Sequence, residues 1–101
     1  MISGVVNSNG VPIITLEIDG HRWDAMIDTG FNGDLELPTA GKTAVEDRYA
    51  FDFPFDGRLV PVDATFAPGK EIVIGTNLIR DYTLEVDFPK QTVRLTRSSP
   101  A

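Results

Sequence analysis

Short alternating segments, each stopped by a turn signal, govern what this chain can fold into. Ile14-Thr15-Leu16-Glu17-Ile18 alternates apolar and polar residues, as a strand with one buried face does. Asp19-Gly20 follows, a pair suited to a tight hairpin turn. Trp23 to Ile27 reads as the return strand. Asp34-Leu35-Glu36-Leu37 alternates again and stops at Pro38, which cannot continue a ladder. Tyr49 to Phe55 is rich in aromatics, and Asp56-Gly57 is a second turn signal. Leu59 to Phe66 is strand-like, with Pro61 predicting an edge or a bulge. Pro68-Gly69-Lys70 turns the chain into the apolar run Glu71 to Ile74, predicted as a buried strand ending at Gly75. Leu84 to Phe88 and Thr92 to Leu95 flank Pro89-Lys90-Gln91 and predict a final hairpin. The pattern is all-β. Two exceptions are expected. Thr76 to Tyr82 reads as one short helix, capped by Thr76 or Asn77, with Leu78, Ile79 and Tyr82 on one face. Thr39 to Arg48 suits a short helical turn. Ser98 to Ala101 reads as a frayed tail.

A chain of 101 residues suits a single domain over 1–101, with a modest core that association with a second copy would enlarge. It has no cysteine, and His21 is its only histidine. That excludes a disulfide scaffold, a cysteine zinc site and a cysteine nucleophile, and it speaks against a His-rich metal site or a Ser-His-Asp triad. The acidic residues lack EF-hand spacing, so no metal and no cofactor are expected. The net charge is −6, with nine Lys+Arg and no basic run. Nucleic acid and anionic membrane surfaces are therefore unexpected partners. No apolar run approaches the ~18 residues of a membrane span. The first residues lack the basic and apolar regions of a signal peptide, so a cytoplasmic location is expected. Trp23 is expected in the core or at an interface, and His21 on the surface.

A weak repeat is visible. Leu16 to Gly30 reads strand, turn, strand, then Ile27-Asp28-Thr29-Gly30. Leu59 to Asn77 reads strand, turn, strand, then Ile74-Gly75-Thr76-Asn77. Two similar half-units about a pseudo-two-fold axis are expected.

The segment with chemical character is Ala25-Met26-Ile27-Asp28-Thr29-Gly30. A carboxylate directly follows an apolar strand, where burial is costly without donors. Gly30 removes a side chain, so backbone N–H groups can reach the carboxylate and another chain can approach. Read alone, the triplet fits a plain turn better than a site. Its context, before Leu35-Glu36-Leu37-Pro38 and with a second apolar-Gly unit at Val73-Ile74-Gly75, favours the site.

Pro12 to Pro38, with Asp28-Thr29-Gly30-Phe31-Asn32-Gly33, and Ile72 to Leu95 together resemble the retropepsin-like aspartic proteases, in particular small single-lobe bacterial ones. The resemblance covers about half of the chain. It implies a closed, barrel-like all-β domain working as a homodimer, with peptide or protein as substrate. It implies that Asp28 is the catalytic carboxylate, that Thr29 hydrogen-bonds across the dimer axis, and that Gly30 gives backbone room and helps hold substrate. Gly75 would shape a second loop supporting Asp28. Such a site needs two carboxylates sharing one proton, and no metal, Cys or His.

Two departures stand out. Retroviral members place an Arg after the glycine matching Gly75, and a carboxylate soon after the Asp-Thr-Gly. Here Thr76 and Asn32 stand there, so that ion pair is missing and Asn32 is left as a hydrogen-bonding group beside the substrate. The family also covers its cleft with a long hairpin. The only candidate is Tyr49 to Phe66, turning at Asp56-Gly57, which would place Asp56 and Gly57 against substrate. Phe51, Phe53 and Phe55 alternate, which suits either a face over a cleft or ordinary core. The alternative to an enzyme is a catalytically silent dimer that binds extended peptides or a partner protein.

Overall fold

The computed structural model describes residues 1–38, 48–69 and 71–98. Its strands are β1 (Ile2–Val6), β2 (Pro12–Ile18), β3 (His21–Ile27), β4 (Leu35–Pro38), β5 (Tyr49–Phe55), β6 (Arg58–Ala67), β7 (Ile72–Ile74), β8 (Tyr82–Asp87) and β9 (Thr92–Arg97). They form one sheet in the order β5-β6-β4-β7-β3-β2-β1-β9-β8. The all-β expectation therefore holds. The expected helical turn at Thr39 to Arg48 falls almost wholly on residues 39–47, outside the described residues. No helix among the described residues is long and apolar enough to cross a membrane.

Both Asp-Gly turns close as read. Asp19 and Gly20 have φ of 51° and 80°, and Asp56 and Gly57 have 55° and 78°. Two successive positive φ angles give the turn whose twist matches paired strands. They set the registers Ile18↔His21 and Phe55↔Arg58. Pro61 sits on β6 before the stretch that β4 reaches, which starts at Ala64. Its missing N–H therefore takes nothing from the β4 ladder.

The centre of the sheet carries a pseudo-two-fold. Exchanging β2, β3, β4 with β5, β6, β7 leaves that part of the strand order unchanged when it is read backwards. The ladders obey the same exchange. β3 pairs parallel with β7, β6 pairs parallel with β4, and β4 and β7 pair antiparallel with each other. The axis thus passes between Leu35 and Ile74, which are registered partners and both 0% exposed. The repeat is real, but its register differs from the sequence reading. Ladder direction matches β4 to β7, so the counterpart of the Asp28 turn is the turn after β6, at Pro68-Gly69.

One face of the curved sheet makes the core, from Ile14, Leu16, Ala25 and Ile27 on β2–β3 to Phe53, Phe55, Val62 and Ala64 on β5–β6. No polar side chain is buried among the described residues. Phe53 and Phe55 are core, at 3% and 2% exposure, and Phe51 is half-buried. Trp23 is not core. It is 46% exposed. His21 is exposed, as expected.

Two expectations are corrected. Thr76 to Tyr82 is a run of turns and not a helix. The N–H groups of Thr76 and Asn77 are bound to the carbonyls of Phe31 and Gly33, so the sequence's caps serve a distant loop, and so short a segment does not sustain a helix unaided. Tyr82 already pairs with Arg97 as the first residue of β8. Nor does the sheet close into a barrel, because β5 and β8 remain outer edges. Association as a homodimer is outside what a single chain displays.

The tip of the β5–β6 hairpin is latched at the end of the sheet away from Asp28. The Tyr82 hydroxyl donates to Asp56 Oδ2 at 2.8 Å, and the Met1 ammonium lies 3.8 Å from Asp56 Oδ1. The Phe55 and Tyr82 rings meet edge to face at 5.6 Å. Burial, then the Asp56 carboxylate beside it, raises the Tyr82 phenol above its ordinary pKa of 10.0, against an opposing pull from Arg58. The unfolded phenol ionises first, so this group's contribution to stability is complete below pH 10 and is lost as pH climbs through the raised value. Melting temperature should fall above about pH 10, and Tyr82→Phe should flatten that fall in thermal melts taken between about pH 8 and pH 11. Leu35→Ala, at the pseudo-axis, should lower stability by about 3 kcal/mol in urea titrations.

Candidate active site

Asp28 is the first residue beyond β3, and the ladder positions it. Its N–H donates to the carbonyl of Ile74 at 3.0 Å, so the turn starts against the end of β7. Phe31 N–H returns to the Asp28 carbonyl at 3.1 Å and closes the turn. Gly30 N–H donates to Asp28 Oδ1 at 2.8 Å. This places the carboxylate over its own loop and leaves Oδ2 without a partner among the described residues. Ile27 is buried, yet Asp28, Thr29 and Gly30 are all exposed. The Thr29 hydroxyl has no hydrogen-bond partner among the described residues.

A second loop locks the first from the other side. Gly75 N–H donates to the Asp34 carbonyl at 3.0 Å, Thr76 N–H to the Phe31 carbonyl at 2.8 Å, and Asn77 N–H to the Gly33 carbonyl at 3.1 Å. The Thr76 hydroxyl adds a longer bond to Phe31 O at 3.3 Å. The approach is close enough to require glycine. A Cβ at Gly75 would overlap the Gly33 carbonyl oxygen and lie 2.8 Å from Phe31 Cδ2. At Gly33 a Cβ would lie 2.7 Å from the Phe31 ring, which would have to shift to admit it. Gly75 thus shapes the support of the Asp28 loop by contact.

Asp34 is the residue that the sequence reading passed over. It looked like a polar position on an alternating strand. In the structure its Oδ2 accepts from Asp63 N–H at 2.8 Å, and its Oδ1 accepts from the Asn77 side-chain amide. One carboxylate therefore ties the Asp28 loop, the Gly75 loop and β6 together. Asp34, directly after Gly33 and at the mouth of a strand, was its only sequence signal. Asn32 is exposed, makes no side-chain hydrogen bond among the described residues, and lines a cleft of about 460 Å³ with Phe31, Arg48, Asp63 and Asn77.

Asp56 and Gly57 are not brought to this site. Ile27, Ile74, Leu35, Ala64 and Tyr49 form one row across the sheet through their registers. The Asp56-Gly57 turn lies about 20 Å along β5 from that row, at ~3.3 Å per residue. No cluster of three or more potential metal-ligating side chains occurs among the described residues.

The arrangement as a whole has a solved counterpart in fold. The chain matches a solved retropepsin-like aspartic protease from Rickettsia conorii, with a TM-score of 0.63 over 93% of this chain and 88% of that chain. The fold is retropepsin-like. Sequence identity over the match is 16%, so the likeness is one of fold. No family model and no curated protein matches the chain.

The loop interlock can be tested directly. Asp34→Ala should lower stability by about 1 kcal/mol and speed hydrogen exchange at the Asp63 amide, read by NMR. Gly75→Ala should be the more disruptive of the two, since the overlap is with backbone.

Proposed function

We propose that the protein is a homodimeric aspartic endopeptidase, in which Asp28 of each copy forms half of the catalytic dyad. The observation that carries this is the exposed Asp28 on a glycine-closed turn, braced by a second loop at Gly75, within a retropepsin-like fold. One carboxylate is an incomplete acid–base device. Two brought to about 3 Å share a proton, because both cannot easily ionise. The ionised one takes a proton from a water held between them. The protonated one polarises the scissile carbonyl. The water oxygen attacks, and the tetrahedral intermediate collapses as the amine leaves protonated. Thr29, exposed and without a hydrogen-bond partner among the described residues, is suited to bonding across the two-fold. Gly30 and Asn32 present backbone and amide to an extended substrate.

A second reading has one observation in its favour. The hairpin proposed to cover the cleft instead ties its tip to Tyr82. A fold kept for binding extended peptides, without hydrolysis, accommodates that arrangement.

Cleavage of a mixed peptide library, followed between about pH 3 and pH 7 with and without pepstatin, separates the two. The enzyme reading expects pepstatin-sensitive cleavage that disappears in Asp28→Asn while the fold survives. It also expects specific activity to fall on dilution, as two copies separate. Absence of cleavage at every pH and concentration leaves the binding reading.

A further inference from the structure

The sheet stays open on one side, and the opening is apolar. β5 is an outer strand of the sheet, and it comes against β2 without pairing to it. A pocket of about 590 Å³ lies there, walled by Trp23, Leu37, Phe51, Phe53, Phe66 and Ile72. It is separate from the candidate active site. Trp23 stands about 16 Å down β3 from Asp28 at ~3.3 Å per residue, toward the Asp19-Gly20 turn. Trp23 is 46% exposed, and Leu59, beside the same pocket, is 68% exposed. Water contact with an indole and a leucine in one concavity is unfavourable, and it is relieved by an apolar occupant.

The rim is acidic. Asp19 and Asp52 both border the pocket and are exposed. Neither has a cationic side chain within 4.0 Å among the described residues. Among the described residues, the outer edge of β5 has no strand partner along Phe51 to Phe53. Pro54 ends that usable edge because it has no N–H to give.

We propose that this opening binds an extended basic peptide segment of a partner protein, added as a strand to the edge of β5. Main-chain bonds to β5 hold it. Alternate apolar side chains enter the pocket, and the intervening Lys or Arg residues meet Asp19 and Asp52. The volume is of the size that holds a few side chains. The net charge of −6 draws a basic segment from a distance. The proposal is independent of whether Asp28 is catalytic.

Trp23 is the only tryptophan, so its fluorescence reports on this pocket alone. The titration uses Asp28→Asn protein, in which cleavage cannot interfere. Two blocked pentapeptides serve as probes, one alternating lysine with leucine, the other glutamate with leucine. The lysine peptide should give a saturable blue shift and bind at least about five-fold more tightly than its counterpart, as two exposed ion pairs allow. In Asp19→Asn/Asp52→Asn that preference should vanish. Asn tolerates the positive φ at position 19. Should the double variant fail to fold, added salt applies the same test to the parent protein, because exposed pairs are screened. No spectral change, equal binding of the two peptides, or a preference untouched by both the double variant and salt would overturn the proposal.

Discussion

The antiparallel contact between β4 and β7 is the constraint on which the rest of this fold depends. Both strands are short, Leu35–Pro38 and Ile72–Ile74, and each is paired on its other side by a parallel ladder. Parallel pairs are slightly the weaker kind. The contact is nevertheless fully desolvated at Leu35 and Ile74, and the loops leaving it interlock through backbone donors from Gly75, Thr76 and Asn77. Asp28 inherits its position from this joint, since its N–H is bound to the Ile74 carbonyl. The carboxylate is therefore placed by main chain, with little reliance on side-chain packing.

What was legible in the sequence was local. The Asp19-Gly20 and Asp56-Gly57 turns follow from the φ tolerance of two adjacent residues, and alternation assigned the inward face of β2. The Asp28 turn was legible too, because a carboxylate after an apolar strand is conspicuous. What was hidden depends on partners far along the chain. The segment Thr76 to Tyr82 has the residues of a capped helix, but Tyr82 is drawn into β8 opposite Arg97, and the residues left before it are too few to sustain a helix. Asp34 carries no local mark of importance, since its partners Asp63 and Asn77 are 29 and 43 residues away. The repeat was seen but misregistered. Gly-ended strands look alike in sequence, and only ladder direction shows that β7 matches β4.

The missing ion pair at Thr76 and Asn32 also acquires a physical reading. Thr76 bonds the Phe31 carbonyl through both its N–H and its hydroxyl. The work of joining the two loops has passed to backbone groups, to Asp34 and to Asn77. Asn32 is left exposed at the edge of a cleft.

Small size then shapes both proposals. A sheet of this length buries Ile14, Leu35, Ile74 and Leu95 completely, yet it leaves Asp28, Thr29 and Gly30 exposed at one end and an apolar opening at the other. Under the proposed dimer, two acidic copies must approach through a run that itself carries a carboxylate. Repulsion opposes that approach at neutral pH and weakens as carboxylates take up protons. The chemistry requires one of the two Asp28 side chains to be protonated as well. Under that proposal, sharing one proton between the two Asp28 carboxylates relieves their mutual repulsion and sets up the acid–base pair in a single event.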